Sequence, residues 1–508
     1  MKRLKQIGSL ILLSAMLFSC GSKVPAETDD VTSTTSVDEI VSGTSATTPA
    51  ETEPPVDPAT VDELPELDFN GEDFVISVQD YGGYIGADLF TENLTGEIVN
   101  DAIYTKNQIV EDRLNIHFVY DSFTHNWGDR ANYISRIRAS VMSDDAEYDL
   151  LNGLGYFIPG FTAEGLLTEM SDLPYLNMDK VWWNHKFMEE ASVDGKYYFV
   201  TGDASLSLIK AMFCYFVNLD LYDELDLQDD LYQLVYDGKW TVDKVAEIGA
   251  SVYADLNGNA KIDSEDRLGL LLYGNNQTTG FFEACDVDIV SKENGEFRFV
   301  FGNEHNINVV QRMCQFFHES TGIHYVWQMP SSDKNAETVN ESPFRHGNML
   351  MTGGWLTHAD SFRDLDFKYG ILPYPKFDEA QEEYLTTTLT SYTVFAIPSN
   401  CRQPERAAAV LEAMAVESYR SVTPAYFETT LKVKYASDDD TAKMFDLIRE
   451  NISFDFGYIY TSSMSGISDW FKKEINNNRP DWASAVASVE TKITELMDSL
   501  VASIRAVE

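Results

Sequence analysis

The stretch that most constrains this chain is residues 196–241, KYYFVTGDASLSLIKAMFCYFVNLDLYDELDLQDDLYQLVYDGKWT. An aromatic and β-branched run over residues 197–200 is followed by a polar turn at Gly202 and Asp203. A second apolar run, residues 208–217, ends in Asn218 and Asp220. Two short apolar runs split by a Gly-Asp turn predict two strands. Leu221, Leu225 and Leu227 then fall in a helical pattern, and Thr241 is placed to cap a helix opening Val242-Asp243-Lys244. Strand, turn, strand and capped helix in this order describe a chain leaving one lobe and entering another.

Upstream, residues 74–78, 116–120 and 148–151 are strand candidates, and residues 99–114 and 133–142 carry apolar positions at helical spacing. This alternation predicts an α/β fold with a mostly parallel sheet covered by helices. Ligands of such sheets bind at the carboxyl ends of the strands. That rule points to Tyr81 and Tyr84 after the first strand, and to Asn152 and Tyr156 after the third.

The order of strand, Gly-Asp turn, strand ending in N-x-D-L, acidic helix and D-G-K-W-T resembles the lobe-crossing region of bacterial extracellular solute-binding proteins of family 1. These are the ligand-capturing subunits of ABC importers, and many bind sugars. FRHGNMLMTGGW (residues 344–355), YGILPYPKFDEAQEEY (residues 369–384) and YTVFAIPSNCRQPERAAAVLEAM (residues 392–414) extend the resemblance over most of the chain. It implies a two-lobe, periplasmic-binding-protein-like fold with a ligand cleft between the lobes. On this reading residues 69–204 begin lobe 1 and residues 205–388 begin lobe 2. Residues 389–432 return to lobe 1, and residues 433–508 form a helical region mainly of lobe 2. The implied partners are a small solute, best guessed as a sugar or oligosaccharide, and ABC permease subunits, with no cofactor required.

Sugar sites use aromatic faces against the C–H faces of pyranose rings. Trp355, following Gly353 and Gly354, is expected at the cleft, where the glycines let the backbone approach a ligand. Adjacent Trp182 and Trp183 must point in different directions. One can be core while Trp183 faces the cleft, or both indoles can pack under a loop. Asp203 at the crossing turn joins the candidate ligand residues, and Trp470 and Trp482 fit packing or cleft equally.

The amino terminus is read separately. Lys2, Arg3 and Lys5 precede an apolar run over residues 7–18, shorter than the ~20 residues that span a bilayer, so residues 1–20 read as a signal peptide. Leu17-Phe18-Ser19-Cys20-Gly21 resembles a bacterial lipobox, which implies a diacylated Cys20 and anchoring at the extracytoplasmic face of the cell membrane. Phe18 is bulkier than that pattern usually has. Residues 21–68 are rich in Thr, Ser, Glu, Asp, Pro and Ala and predict a disordered tether, because they cannot bury enough apolar area to offset chain entropy.

With 37 basic against 82 acidic residues the formal charge is −45. Such a surface repels phosphate backbones, which excludes nucleic acid as a partner. Residues 255–266, DLNGNAKIDSED, place Asp255, Asn257, Asn259, Asp263 and Asp266 at the ligand spacing of an EF-hand, with Ala260 where glycine usually turns. The loop reads either as a structural calcium site or as an Asx-rich turn. Cys214, Cys285, Cys314 and Cys401 have no C-x-x-C spacing, and one or two disulfides of undetermined pairing are compatible with export. No G-x-S-x-G, H-E-x-x-H, G-x-x-x-x-G-K-[ST] or G-x-G-x-x-G occurs. A non-enzyme fits this absence. The alternatives are a lipid-anchored glycan-active enzyme using two carboxylates, which sequence alone does not reveal, and a carbohydrate-binding surface protein.

Overall fold

The computed structural model describes residues 57–80, 88–124, 127–272, 275–328, 343–435 and 438–506. Its strands are β1 (Glu72–Asp80), β2 (Ile116–Thr124), β3 (Leu150–Leu154), β4 (Phe213–Asn218), β5 (Leu268–Leu272), β6 (Val290–Glu293), β7 (Glu296–Phe299), β8 (Ile323–Tyr325), β9 (Met349–Trp355), β10 (Tyr369–Leu372) and β11 (Thr393–Ala396). They form two sheets, in the orders β11-β3-β1-β2 and β10-β4-β9-β5-β8, and a β6-β7 hairpin. In the first sheet β1 runs parallel to β2 and β3, while β11 closes the edge antiparallel to β3. In the second, β5 is parallel to β8 and β9, and β4 is antiparallel to both of its neighbours.

Local sequence explains the elements. The helix Ile98–Leu114 starts where the Glu97 carboxylate accepts from the Asn100 N–H and ends at Asn115, whose left-handed φ of 48° turns the chain directly into β2. The helix Val242–Val252 is capped by Thr241, as its sequence predicts. Strands β3, β5 and β4 are buried along their whole length, which is why they read as continuous apolar runs. A Cβ on Gly269 would come within 2.2 Å of the Gly249 Cα, so two glycines let this helix lie directly on β5.

Three segments pass between the sheets. Val200 bridges Phe395, Met212 bridges Thr388, and Thr386 bridges Ile452. The expected strand over residues 197–200 is reduced to the single Val200 bridge. The run 208–217 divides into one helical turn, Ser207–Lys210, and β4. Ser205 accounts for the turn, because its hydroxyl accepts from the Ser207 N–H and donates to Asp88.

Residues 57–68, which composition assigns to a tether, are docked. Lys180 donates to the Pro58 carbonyl and pairs with Glu63, and Asp62 pairs with Arg113 and Arg420. Leu64 and Leu67 pack against the core. The helix Glu490–Ala506 lies against the Ile158–Glu164 turn and β7, with Tyr198 donating to the Ile504 carbonyl and Arg505 paired with Asp194. Cys214, Cys285, Cys314 and Cys401 are free thiols. Among the described residues no helix is long and apolar enough to cross a membrane.

Candidate ligand-binding pocket

Where β3 ends, its pairing with the β11 segment continues for two residues: Gly155 N–H donates to the Tyr392 carbonyl at 2.8 Å and Tyr156 N–H to the Thr390 carbonyl at 3.1 Å. Gly155 is needed there, since a Cβ would strike the Tyr392 ring at 2.7 Å. This fixes Tyr156 at the carboxyl edge of the first sheet, edge-on to Phe157 with centroids 5.0 Å apart.

Facing it is the helix Asp469–Asn476, which belongs to the second sheet's surroundings. Thr278 donates to the Asn476 amide oxygen at 2.7 Å, Lys472 to Asn276 at 3.1 Å, and the His318 ring bonds the Ile475 carbonyl at 2.8 Å. Buried Phe471 anchors its inner face, leaving half-buried Trp470 on the other. The turn before the helix is set by positive φ at Ser465 and Gly466 and by a 2.9 Å bond between Thr461 and Ser468.

Between these walls lies a pocket of about 640 Å³. Arg130, Arg138, Tyr156 and Phe157 line it on the first side, and Ser462, Ser463, Asp469, Trp470 and Lys473 on the second. Arg138 forks onto Glu164 at 2.6 and 2.5 Å, and Lys472 pairs with Asp469 at 2.7 Å. The Lys473 ammonium sits 5.6 Å from the Trp470 ring centroid. Burial raises the Tyr156 hydroxyl pKa, helped by the Asp469 carboxylate and opposed by Arg130, so all three groups share one field. Half-open aromatic faces ringed by hydroxyls and charged donors suit a polar molecule with flat C–H faces.

Of the residues singled out from sequence, Tyr156 and Trp470 line this pocket, and Asn152, Trp183, Asp203, Trp355 and Trp482 do not. Asn152 is fully buried in β3, and both its amide atoms lack a hydrogen-bond partner. Trp183 is enclosed beside Trp182: both indole N–H groups donate to Glu412, at 3.0 and 3.2 Å, so neither ring offers a face to a ligand. Asp203 is buried at the crossing, 3.5 Å from Arg449, and burial lifts its pKa to about 6. Trp355 ends β9 half-buried, edge-on to Phe213 and 4.4 Å from the His358 ring. Tyr81 and Tyr84 lie outside the described residues, as does Cys20. Trp482 is core, donating to the Phe301 carbonyl at 2.7 Å.

The calcium expectation finds no support. Among the described residues no group of three or more His, Cys, Asp or Glu side chains is gathered for a metal. In the loop Asp255 accepts from the Gly258 and Ala260 N–H groups, Asp263 from the Asn257 and Asn259 amides, and Asp266 from Leu256 and Asp263. Oxygens that a cation would need are taken by N–H donors, which makes this an Asx-rich turn.

The pocket residues that sequence reasoning missed are Arg130, Arg138, Asp469 and Lys473. For Asp469 and Lys473 the signal was the amphipathic pattern of DWFKKEIN, which puts Phe471 and Ile475 on one face and Trp470 and Lys473 on the other; Arg130 and Arg138 carried none.

No family model matches the sequence, and no curated protein matches it. Solved structures do. An ABC substrate-binding protein from Listeria monocytogenes in complex with cycloalternan has a TM-score of 0.53 at 12% identity, covering 84% of this chain and 99% of its own. The GacH receptor of Streptomyces glaucescens, solved unliganded and with acarbose, has a TM-score of 0.51 at 12% identity, covering 86% and 100%. The galacto-N-biose/lacto-N-biose I-binding protein of an ABC transporter from Bifidobacterium longum, with lacto-N-biose, has 0.52 at 13%, covering 84% and 98%. The chain thus has the α/β fold of two-lobe solute-binding proteins of ABC transporters, built on one mostly parallel and one evenly mixed sheet flanked by helices.

Proposed function

We propose that this protein captures a sugar or oligosaccharide outside the cytoplasm and delivers it to the permease of an ABC importer. The observation that carries the reading is the pocket in which Tyr156, at the carboxyl edge of one sheet, faces Trp470 on a helix held by the other. Two aromatic walls on separate sheet-centred bodies can close on a pyranose from both sides. The named saccharide ligands of the similar structures support the same class of solute. The two sheets are the cores of the two lobes, and the crossings near Gly202 and Thr388 are the hinge.

Binding rather than hydrolysis follows from how the pocket's carboxylates are spent. Glu164 is held in the Arg138 fork and Asp469 by Lys472, so both carboxylates already have cationic partners. No cofactor is required. The segment 1–20 and Cys20 supply export and a lipid anchor, so that Cys20→Ala moves the protein from the membrane fraction to the medium; a mutant retained at the membrane removes the anchor.

A thermal-shift panel of mono- and oligosaccharides, with peptides and amino acids as controls, tests the solute class. A ligand at a hundred times its Kd stabilises the protein by about 2.7 kcal/mol. Stabilisation by peptides alone overturns the sugar reading. Small-angle scattering with the binding sugar should show a smaller radius of gyration, and an unchanged radius at saturation argues against closure.

A further inference from the structure

We infer that the pocket selects an anionic saccharide, a pyranose bearing a carboxylate or a sulfate, with Lys473 receiving the negative group while Tyr156 and Trp470 hold the ring. This deepens the saccharide reading above and rests on it.

The reasoning starts from a contrast in charge. Acidic residues outnumber basic ones by more than two to one in the chain, 82 against 37. The pocket reverses this, with Arg130, Arg138 and Lys473 against Glu164 and Asp469. The two carboxylates are already committed. Arg138 holds Glu164 through two bonds, and Lys472, just outside the lining, holds Asp469. Lys473 forms no ion pair among the described residues; its contact is the face of Trp470 at 5.6 Å. Arg130 lines the same pocket as Tyr156. A neutral sugar would use the two rings and the serine hydroxyls but would leave the ammonium over Trp470 unused. An anionic group on a ring stacked against Trp470 would meet it directly and form a charge-assisted hydrogen bond.

The surrounding negative surface sharpens the point. A net charge of −45 slows the approach of any anion at long range. Selectivity for an anion must therefore be local, through contacts within a few ångströms, and it should weaken less with salt than steering by an exposed patch does. Screening of the unfavourable net field with added salt acts in the opposite direction, toward faster association. The prediction is a Kd that changes little between low and moderate salt while discrimination between charged and neutral sugars persists.

The test measures binding to the full folded protein by titration calorimetry. The probes are digalacturonate, a sulfated disaccharide of the chondroitin type, and neutral lactose and cellobiose. The expected result is that one of the two anionic probes binds at least about tenfold tighter than the neutral ones, the range of a hydrogen bond to a charged group. Which of the two binds separates carboxylate from sulfate recognition. Lys473→Gln, at an exposed position, should remove that preference and leave the melting temperature of the free protein unchanged. Neutral sugars binding as well as the anionic probes, or a preference that survives Lys473→Gln, overturns the inference while leaving the saccharide reading intact. Absence of binding by every saccharide overturns both.

Discussion

Two aromatic pairs in this molecule contrast sharply. Trp182 and Trp183 are 1% and 3% exposed and share one acceptor, the Glu412 carboxylate, which takes an indole N–H on each oxygen. Tyr156 and Trp470 come from segments more than 300 residues apart, are each half-buried, and face across a pocket. The first pair is chemically complete, with ring faces packed and polar edges satisfied. The second pair has contacts of its own, Tyr156 edge-on to Phe157 and Trp470 beside the Lys473 ammonium, yet part of each ring lines the pocket, where a ligand can reach it. An aromatic residue is thus a binding candidate to the extent that its faces are unclaimed, and residue type alone does not measure that.

The largest expected effect comes from breaking the closed pair. Trp183→Ala should lower stability by roughly 3–5 kcal/mol, the usual range for deleting a buried indole. Trp470→Ala should cost less than about 1 kcal/mol, since its ring is already half in solvent. Urea unfolding of both variants measures the difference, and equal losses would dissolve the distinction drawn above.

Next in size is a pH effect centred on buried acids. Burial pushes Glu412 up to about 7 despite the two indole donors, Asp455 up to about 7, and Asp288 and Asp203 up to about 6. Each folded-state pKa lies above its unfolded value. The unfolded chain therefore releases protons first as pH rises, and these groups contribute stability that is present in acid and is lost between about pH 4 and 7. The melting temperature should be higher at pH 5 than at pH 7.5, and Glu412→Gln should flatten that slope. A melting temperature that climbs with pH over this window would show that the buried acids are compensated by groups outside this set.

The open pair should respond in binding instead. Trp470→Ala should weaken whichever saccharide binds by roughly 0.5–1.5 kcal/mol as stacking is lost, with little change in the free protein's melting point. Full affinity in that variant would move the site elsewhere in the molecule. The smallest effect is expected for Tyr156→Phe, which keeps the ring face and removes the hydroxyl. A loss below about 1 kcal/mol in titration calorimetry would assign the residue's role to its face, and a larger loss to its hydrogen bond.

How much was legible in advance depended on range. The β1 strand and the Thr241 cap were read correctly because a short apolar run and a capping side chain act over a few residues. Tyr156 was found by a topological rule, since a parallel sheet presents its ligand groups where strands end. Of the two readings left open for Trp183, packing holds, and sequence could not choose it because the acceptor of its indole N–H, Glu412, lies 229 positions away. The docking of residues 57–68 was missed for a similar reason: average composition hides two leucines and an aspartate that meet Arg113, Arg420 and the core.

By itself the sequence determined what local chemistry controls. That includes the alternation of strands and helices, the helix caps, the absence of familiar catalytic motifs and the excess of acidic residues. Only the tertiary structure decided which aromatic faces stay open, which carboxylates are already paired, and that the calcium-like spacing at residues 255–266 serves an Asx-rich turn. The physical reason is that exposure and charge pairing are properties of what a side chain meets across space. In this fold the helix Asp469–Asn476 meets its anchors Asn276 and Thr278 only after the two sheets have assembled.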